Sequence, residues 1–313
     1  MMAARVNARA FYAPYHGHDV AHLDAVRRLL AAGGARRFIY LAGDSSLDNK
    51  FWLSAEPRVA SAGGMERALS PPCSPVPPDV AAAISGRLAA RLGPSWACVN
   101  AAVEESTLAS RGAGRPLPAQ DGWLARALSP GDVLVVSAGG NDVVLSPSAA
   151  TVAALAALLL AATDVGLADG SAWGMAHCVR LFRDDVEAYV ARLCAHALPS
   201  LVVVLFPYFP HEARTGSWAD AALGVMGYDC APRRLQAVMR AVFARATRAV
   251  RAPGGVRVVP LALFDVLDAA PASRDYVARV EPSARGGEKM ADAIIGAIVD
   301  AALPPLQGAP PES

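Results

Sequence analysis

An excess of charge of either sign is what this sequence lacks most clearly. Its 313 residues contain 29 basic and 28 acidic side chains, so the formal net charge at pH 7 is only +1. A protein that grips nucleic acid or an anionic membrane surface needs an excess of positive charge to attract it. We therefore expect a small-molecule or neutral substrate and no nucleic-acid partner.

Cysteines and long apolar runs are also few. The odd number and scattered positions of the cysteines fit neither a disulfide framework nor a zinc ribbon, which favours a reducing compartment. The longest apolar run, residues 149–162, is too short to cross a bilayer, so we expect no membrane span. Residues 1–15 lack the apolar core of a signal peptide, which favours the cytoplasm, although their Ala and Arg content leaves an organelle transit peptide open. The five cysteines are Cys73, Cys98, Cys178, Cys194 and Cys230.

The motifs of common cofactor sites are missing as well. The first predicted strand is followed by GDSS, without the Gly-x-Gly-x-x-Gly run that binds dinucleotides. His16, His18 and His22 lie close together, but we interpret them as polar groups around the start of a surface helix, because nothing nearby completes a ligand set. We expect neither a metal ion nor a cofactor.

What the sequence does contain is a regular alternation of strand and helix patterns. Short runs rich in β-formers predict strands at residues 38–42, 95–100, 132–138, 201–206 and 256–259. Helical spacing of apolar residues predicts helices at 19–30, 79–92, 122–128, 149–162, 171–197, 233–251 and 287–302. Strands separated by helices pair in parallel through right-handed crossovers. We therefore predict an α/β fold: a three-layer α/β/α sandwich with a five-stranded parallel sheet.

One domain accounts for most of this pattern. A chain of this length and apolar content can bury one large core, and nothing in the sequence argues for two. We expect residues 1–18 to be irregular, residues 19–303 to form a single domain, and the Pro-rich residues 304–313 to be disordered.

The loop after the first predicted strand carries the leading candidate nucleophile. Gly43 ends the apolar run and is followed by Asp44, Ser45 and Ser46. Ligands of open α/β sheets bind beyond the carboxyl ends of the strands, so Ser45 would lie where chemistry is usually done. Asp44 or Ser46 could instead cap the next helix, since strand-to-helix turns collect these residue types. This stretch alone does not separate the two interpretations.

A second polar turn follows the third predicted strand. Gly139 and Gly140 precede Asn141, whose side-chain amide could donate to an oxyanion near Ser45. Acyl transfer from an ester needs such a donor beside an activated hydroxyl and a base. Asn141 could equally be a turn residue that tolerates left-handed backbone geometry.

Three blocks together resemble one enzyme superfamily. The segments AGDSSLD at 42–48, NAAVEEST at 100–107 and AGGND at 138–142 are similar, in order and spacing, to the first three blocks of the SGNH/GDSL hydrolases. The resemblance implies a flavodoxin-like SGNH hydrolase fold, with Ser45 as the nucleophile and Asn141 and the Ser45 amide as oxyanion donors. It also implies that Glu105 stands where the family has a glycine whose amide is the third donor.

The closing block departs from the family's pattern. That pattern has an Asp and a catalytic His before a Pro and the final helix, but here Ala278 and Glu281 occupy those positions. GDSxxDN and the closing EPSxxGG are similar to a divergent branch of the superfamily, which would make Glu281 a feature of that branch. A carboxylate can act as a general base only if burial raises its pKa toward neutrality.

His211 is the alternative base. It follows the fourth predicted strand, at the same edge of the sheet, with Tyr208 and Glu212 near enough to orient it. A lone histidine on such a loop is also commonly an exposed or structural residue. The sequence leaves Glu281 and His211 both open.

Three further residues near Ser45 are candidates for contact with substrate. Asp44 and Asp48 are expected to fix the loop, and Lys50 to lie at or near the mouth of the site. Together these features predict a serine esterase or acyl hydrolase acting on a small ester or acylated substrate. The alternative is a non-catalytic binding protein of the same fold that lost the catalytic histidine.

Overall fold

The structure of the protein is a computed structural model that describes residues 4–301. The strands in this range are β1 (Val6–Asn7), β2 (Arg37–Gly43), β3 (Leu69–Ser70), β4 (Trp96–Asn100), β5 (Val133–Ser137), β6 (Leu201–Phe206), β7 (Val258–Ala262), β8 (Tyr276–Ala278) and β9 (Glu281–Pro282). The helices that precede the second half of the sheet are α1 (Ala8–Tyr12), α2 (Val20–Ala32), α3 (Met65–Ala68), α4 (Val80–Arg91), α5 (Ala119–Ala127), α6 (Asn141–Val144), α7 (Ala149–Leu160), α8 (Asp164–Asp169), α9 (Met175–Val179) and α10 (Val186–Leu193). They are followed by α11 (Asp220–Val225), α12 (Pro232–Arg245) and α13 (Ala284–Asp300).

A five-stranded parallel sheet forms the centre of the molecule. Its strand order is β4-β2-β5-β6-β7. Counted along the chain within this sheet, that order is 2-1-3-4-5, the arrangement of flavodoxin-like doubly wound folds. The strands are nearly continuous apolar runs because both faces are covered, and every residue of β6 is buried. The predicted fold class is confirmed.

Helices cover the sheet on both sides. Successive side chains of a strand point to opposite faces, so Phe38 and Tyr40 of β2 join one buried cluster while Ile39 and Leu41 join another. The first cluster is closed by α2, α5, α7, α10 and α12, and the second by α4 and α13. These two helical layers and the sheet between them make the three-layer sandwich.

The N-terminal segment is more ordered than we expect from its sequence. Within residues 4–18, β1 pairs in parallel with β3, and α1 follows directly. Val6 and Phe11 bury their side chains in the larger core cluster, which explains this order. The expectation of an irregular segment is therefore wrong for residues 6–12, whereas residues 13–18 form neither helix nor strand.

Most predicted elements differ from the structure by a few residues at one or both ends, and three of these differences are described here. The closing helix begins at Ala284, earlier than predicted, because the Ser283 hydroxyl accepts a hydrogen bond from the Gly286 amide and caps it. β7 starts later than predicted, since a 3₁₀ turn at Pro253–Gly255 occupies the chain before it. A π-helical segment at Arg180–Asp185 lies between α9 and α10, inside the predicted helical stretch.

Residues 304–313, which we predict to be a disordered tail, lie outside the described residues. The assignment of residues 19–303 to a single domain stays a prediction. Among the helices of residues 4–301, none combines the length and the apolar character that crossing a bilayer requires.

Candidate active site

The loops that follow β2 and β5 meet at one edge of the sheet. These strands are neighbours, and Gly43 lies opposite Ser137 at their carboxyl ends. The Asp44 amide donates to the Ser137 carbonyl oxygen at 2.9 Å, and the Ser137 hydroxyl donates to the Asp44 carboxylate at 3.1 Å. The chain runs outward in opposite directions from this pair of strands, which makes the gap between them the topological switch point where doubly wound folds bind ligands.

Ser45 and Asn141 line the same cavity at this edge. The cavity has a volume of about 110 Å³ and is bordered by Asp44, Ser46 and Gly140 as well. Asn141 is buried, and its side-chain amide donates one hydrogen bond to the Ser106 carbonyl oxygen at 3.0 Å. An amide nitrogen carries two hydrogens, so the second remains for a ligand in the cavity.

Most of the cavity wall is apolar. Beyond the polar residues at the strand ends, the lining comes mainly from hydrophobic side chains of α6, α7, α11, α12 and the π-helical segment: Val143, Val144, Leu155, Phe182, Leu223, Met226, Leu235, Val238, Met239 and Val242. Tyr208, Trp218 and Val280 complete the wall on the side of the loop that follows β6. The site therefore combines a small polar end with a hydrophobic interior, as ligand sites commonly do.

Glu105 has the backbone conformation of a glycine position. Its φ angle is +61°, in the left-handed region that side chains other than glycine seldom adopt. The side chain is exposed and its carboxylate accepts a hydrogen bond from the Tyr15 hydroxyl at 3.1 Å. That Glu105 replaces a glycine of the superfamily's second block stays a prediction.

Glu281 is buried beside the cavity, and its carboxyl has a raised pKa. Burial raises the pKa of its carboxyl well above the usual value, and the nearby carboxyl of Glu104 and, more weakly, Asp44 add to the shift, while a hydrogen bond from Trp218 opposes it. Trp218 and Asp44 both line the cavity, although Glu281 itself does not. One oxygen of the Glu281 carboxyl is buried without a hydrogen-bond partner.

His211 is connected to the cavity wall through other aromatic side chains. Its Nδ1 is 3.3 Å from the Ala213 carbonyl oxygen, and its Nε2 is buried without a partner. The ring contacts Tyr276, which in turn contacts the cavity residue Tyr208. Like Glu281, the imidazole does not itself line the cavity, and its ring contacts reach the cavity wall through two tyrosines.

Asp48 and Lys50 lie in the interior of the protein, whereas the sequence predicts that they contact substrate. Both side chains are buried, form an ion pair with each other, and do not line the cavity. The Asp48 carboxylate also accepts from the amides of Gly17 and Glu104 at 2.8 and 2.9 Å. A buried lysine needs a counter-charge, and Asp48 supplies it. Because Asp48 also accepts from the Glu104 amide, it connects the loop after β2 to the loop after β4.

Glu104 is a candidate site residue that the sequence reasoning missed. One carboxylate oxygen accepts from the Trp52 indole at 3.0 Å, and the other is buried without a partner. Burial raises the pKa of Glu104 to about 8. The only signal in the sequence is that Glu104 stands beside Glu105 in the polar loop after β4.

No metal site is evident in the described part of the chain. In residues 4–301, no three His, Cys, Asp or Glu side chains are grouped closely enough to hold an ion. His18 is buried and its Nδ1 lies 2.7 Å from the Phe11 carbonyl oxygen. The ring also stacks on Phe11, which places it in the packing of the N-terminal segment.

Solved structures of esterases and lipases are similar to this chain. Est24, a carbohydrate acetylesterase from Sinorhizobium meliloti, is 15% identical with a TM-score of 0.42, over 85% of this chain and 100% of Est24. The lipase Lip_vut3 from a goat rumen metagenome is 15% identical with a TM-score of 0.45, over 83% of this chain and 97% of the lipase. The aryl esterase of M. smegmatis is 13% identical with a TM-score of 0.40, over 84% of this chain and 99% of the esterase.

Sequence comparisons add no relatives to these structures. No protein-family model matches the chain, and no curated protein matches it.

The raised pKa of Glu104 predicts a pH-dependent stability. The folded protein keeps this proton up to a pKa of about 8, whereas the unfolded chain releases it near 4.5, so the stabilisation is complete below 4.5 and is lost as pH rises to about 8. We expect Glu104→Gln to remove part of this fall in the free energy of unfolding, at most about 1.4 kcal/mol per pH unit.

Urea denaturation at both ends of this pH range measures the effect. Glu105→Gln is the matched control, because it is the same substitution one residue away on an exposed side chain, and it should keep the wild-type pH dependence. Equal pH dependence in wild type and Glu104→Gln would contradict the assignment of a strongly shifted carboxyl at this position.

Proposed function

We propose that this protein is an ester hydrolase in which Ser45 attacks the acyl carbonyl carbon. The observation that supports this most strongly is that Ser45 and Asn141 line one cavity at the switch point of the sheet. A hydroxyl and an amide donor in one partly apolar volume are the two groups that acyl transfer needs first.

Oxyanion stabilisation is the role we propose for Asn141. When Ser45 Oγ bonds to the carbonyl carbon, negative charge develops on the carbonyl oxygen, and donors fixed in advance stabilise it. The hydrogen bond from Asn141 to the Ser106 carbonyl oxygen holds the amide in place and leaves its second hydrogen for this oxygen. The backbone amides of Ser45 and Glu105 are the further donors in this proposal.

Glu281 is the base that we propose for the reaction. Its carboxylate takes the Ser45 proton, directly or through a water molecule, and returns it to the leaving alcohol, and a water molecule then hydrolyses the acyl-enzyme by the same proton route. The raised pKa suits this role, because an ordinary solvated carboxylate is too weak a base for a serine hydroxyl. His211 is the less favoured choice, since its contacts reach the cavity only through Tyr276 and Tyr208.

Loss of the Ser45 hydroxyl should abolish hydrolysis. We expect Ser45→Ala to lower kcat/KM for p-nitrophenyl acetate and butyrate by at least roughly a thousandfold, because the substitution removes the hydroxyl that forms the acyl-enzyme. Ser54→Ala is the control, since Ser54 is exposed and lies outside the cavity. If wild type and Ser45→Ala hydrolyse these esters equally slowly, the protein is better described as a binding protein that lost its catalytic function.

The choice of base can be tested by the pH profile. Glu281 must be ionised to accept a proton, so kcat/KM of the wild type should rise with pH through a pKa well above the usual carboxyl value. Glu281→Gln should lower kcat by roughly a hundredfold or more and remove this rise, while His211→Asn should change kcat by less than roughly tenfold. The opposite ranking of the two variants, with both proteins folded by circular dichroism, would assign the base to His211.

A further inference from the structure

A second, larger apolar space adjoins the cavity that contains Ser45. It is a groove of about 550 Å³ on the outer side of α6, α7 and α11. None of the side chains that line it is charged or carries a hydrogen-bonding group: Val143, Val144, Pro147, Val152, Leu155, Ala156, Leu159, Leu160, Ala221, Ala222, Val225, Met226 and Gly227. A sugar or another polar ligand would find no side-chain hydrogen-bond partner among these residues.

The groove and the cavity share part of their walls. Val143, Val144, Leu155 and Met226 line both of them, so these four side chains lie between the two spaces. The short helix α6 begins at Asn141 in the cavity and ends at Val144 in this shared wall. Met226, one of the four, has a flexible side chain that adapts to the shape of an apolar ligand.

The groove exposes large hydrophobic side chains to solvent, which is uncommon on a protein surface that binds nothing. Val152, Leu160 and Val225 are 52%, 86% and 91% exposed, and all three line the groove. A surface helix normally turns a polar side to water, but α7 has no charged residue along its length. Contiguous exposed apolar surface of this kind marks a binding site for an apolar partner.

We propose that the occupant of the groove is the distal part of a long unbranched acyl chain whose ester carbonyl lies at Ser45. This inference rests on the proposed function and specifies its substrate class: esters of fatty acids too long for the inner cavity alone. The carbonyl end stays at the polar residues of the cavity, the first methylenes fill the hydrophobic interior, and the remainder passes between the side chains of the shared wall into the groove. Each methylene that leaves water contributes to binding until the chain reaches the end of the groove.

A series of p-nitrophenyl acetate, butyrate, octanoate and laurate tests this, each below its solubility limit. We expect kcat/KM of the wild type to increase with chain length up to laurate, by up to about fourfold for each methylene that becomes buried. A value that is flat beyond butyrate, or that falls, would overturn the proposal, because the groove would then contribute nothing to binding.

A charge in the groove gives the sharper test. Val152→Glu should lower the ratio of kcat/KM for laurate to that for butyrate by about tenfold, since a carboxylate would have to lose water against the acyl chain. Val299→Glu is the matched control: it is the same change at a helical valine of similar exposure, 43%, outside the groove. An equal ratio in the two variants would overturn the proposal, and thermal unfolding establishes that both are folded.

Other occupants of the groove and a failure of the proposed function give different results. If Val152→Glu converts a dimer to a monomer in sedimentation velocity while the laurate to butyrate ratio is unchanged, the face binds a second copy and the acyl-chain proposal is wrong. Ser45-dependent hydrolysis of acetate without a chain-length gradient would overturn only this inference. Absence of any Ser45-dependent hydrolysis would overturn the proposed function itself.

Discussion

The close approach of Gly43 to Ser137 is the constraint on which the candidate site depends. A Cβ atom at position 43 would lie 1.7 Å from the Ser137 carbonyl oxygen, and the φ angle of +121° is itself one that favours glycine. The absence of a side chain lets β2 and β5 continue in register to their last residues. The loops that carry Ser45 and Asn141 therefore start side by side.

The carbonyl oxygen of Gly43 ties a third loop to the same point. It accepts hydrogen bonds from the Val103 amide at 2.9 Å, the Ser106 hydroxyl at 2.9 Å and the Arg111 guanidinium at 3.0 Å. Ser106 in turn holds the Asn141 amide through its carbonyl oxygen. The Gly43 carbonyl oxygen thus connects the loop after β2 to the loop after β4, and Ser106 connects that loop to Asn141 after β5. These contacts fix the position of the Asn141 side chain, the proposed oxyanion donor.

Buried carboxyl groups set the electrostatic character of this edge. Burial raises the pKa of Asp44 to about 6 and that of Glu104 to about 8, and it raises the pKa of Glu281 well above its usual value. Such an arrangement costs stability when the groups ionise, because charge is then held away from water. Strongly shifted carboxyls near a cavity are typical of functional sites.

The sequence allows the sheet and its chemistry-bearing loops to be predicted because both depend on local patterns. The run Leu201–Phe206 is apolar at every position and forms the strand predicted from it, and Ser45 and Asn141 follow strands whose parallel pairing brings their ends together. The ordered N-terminal segment could not be anticipated, because it depends on the pairing of Val6 with Leu69 far along the chain.

The walls of the site depend on contacts that no local pattern contains. Glu104 and Glu281 are 177 positions apart in the chain, and burial together with the Glu104 carboxyl raises the pKa of Glu281. The same dependence on distant contacts applies to Lys50: the sequence predicts a position at the mouth of the site, but its ion pair with Asp48 lies in the interior. The apolar groove is also invisible in sequence, since a hydrophobic helix such as α7 reads as a core helix whether or not a neighbour covers its outer face.

The most direct test of the account is a crystal structure of the protein treated with an alkyl fluorophosphonate. The account predicts a bond from Ser45 Oγ to phosphorus, with the phosphoryl oxygen within hydrogen-bonding distance, about 3 Å, of the Asn141 side-chain nitrogen. An adduct on another residue, or a phosphoryl oxygen directed away from Asn141, would contradict the claim that these two side chains form one catalytic site.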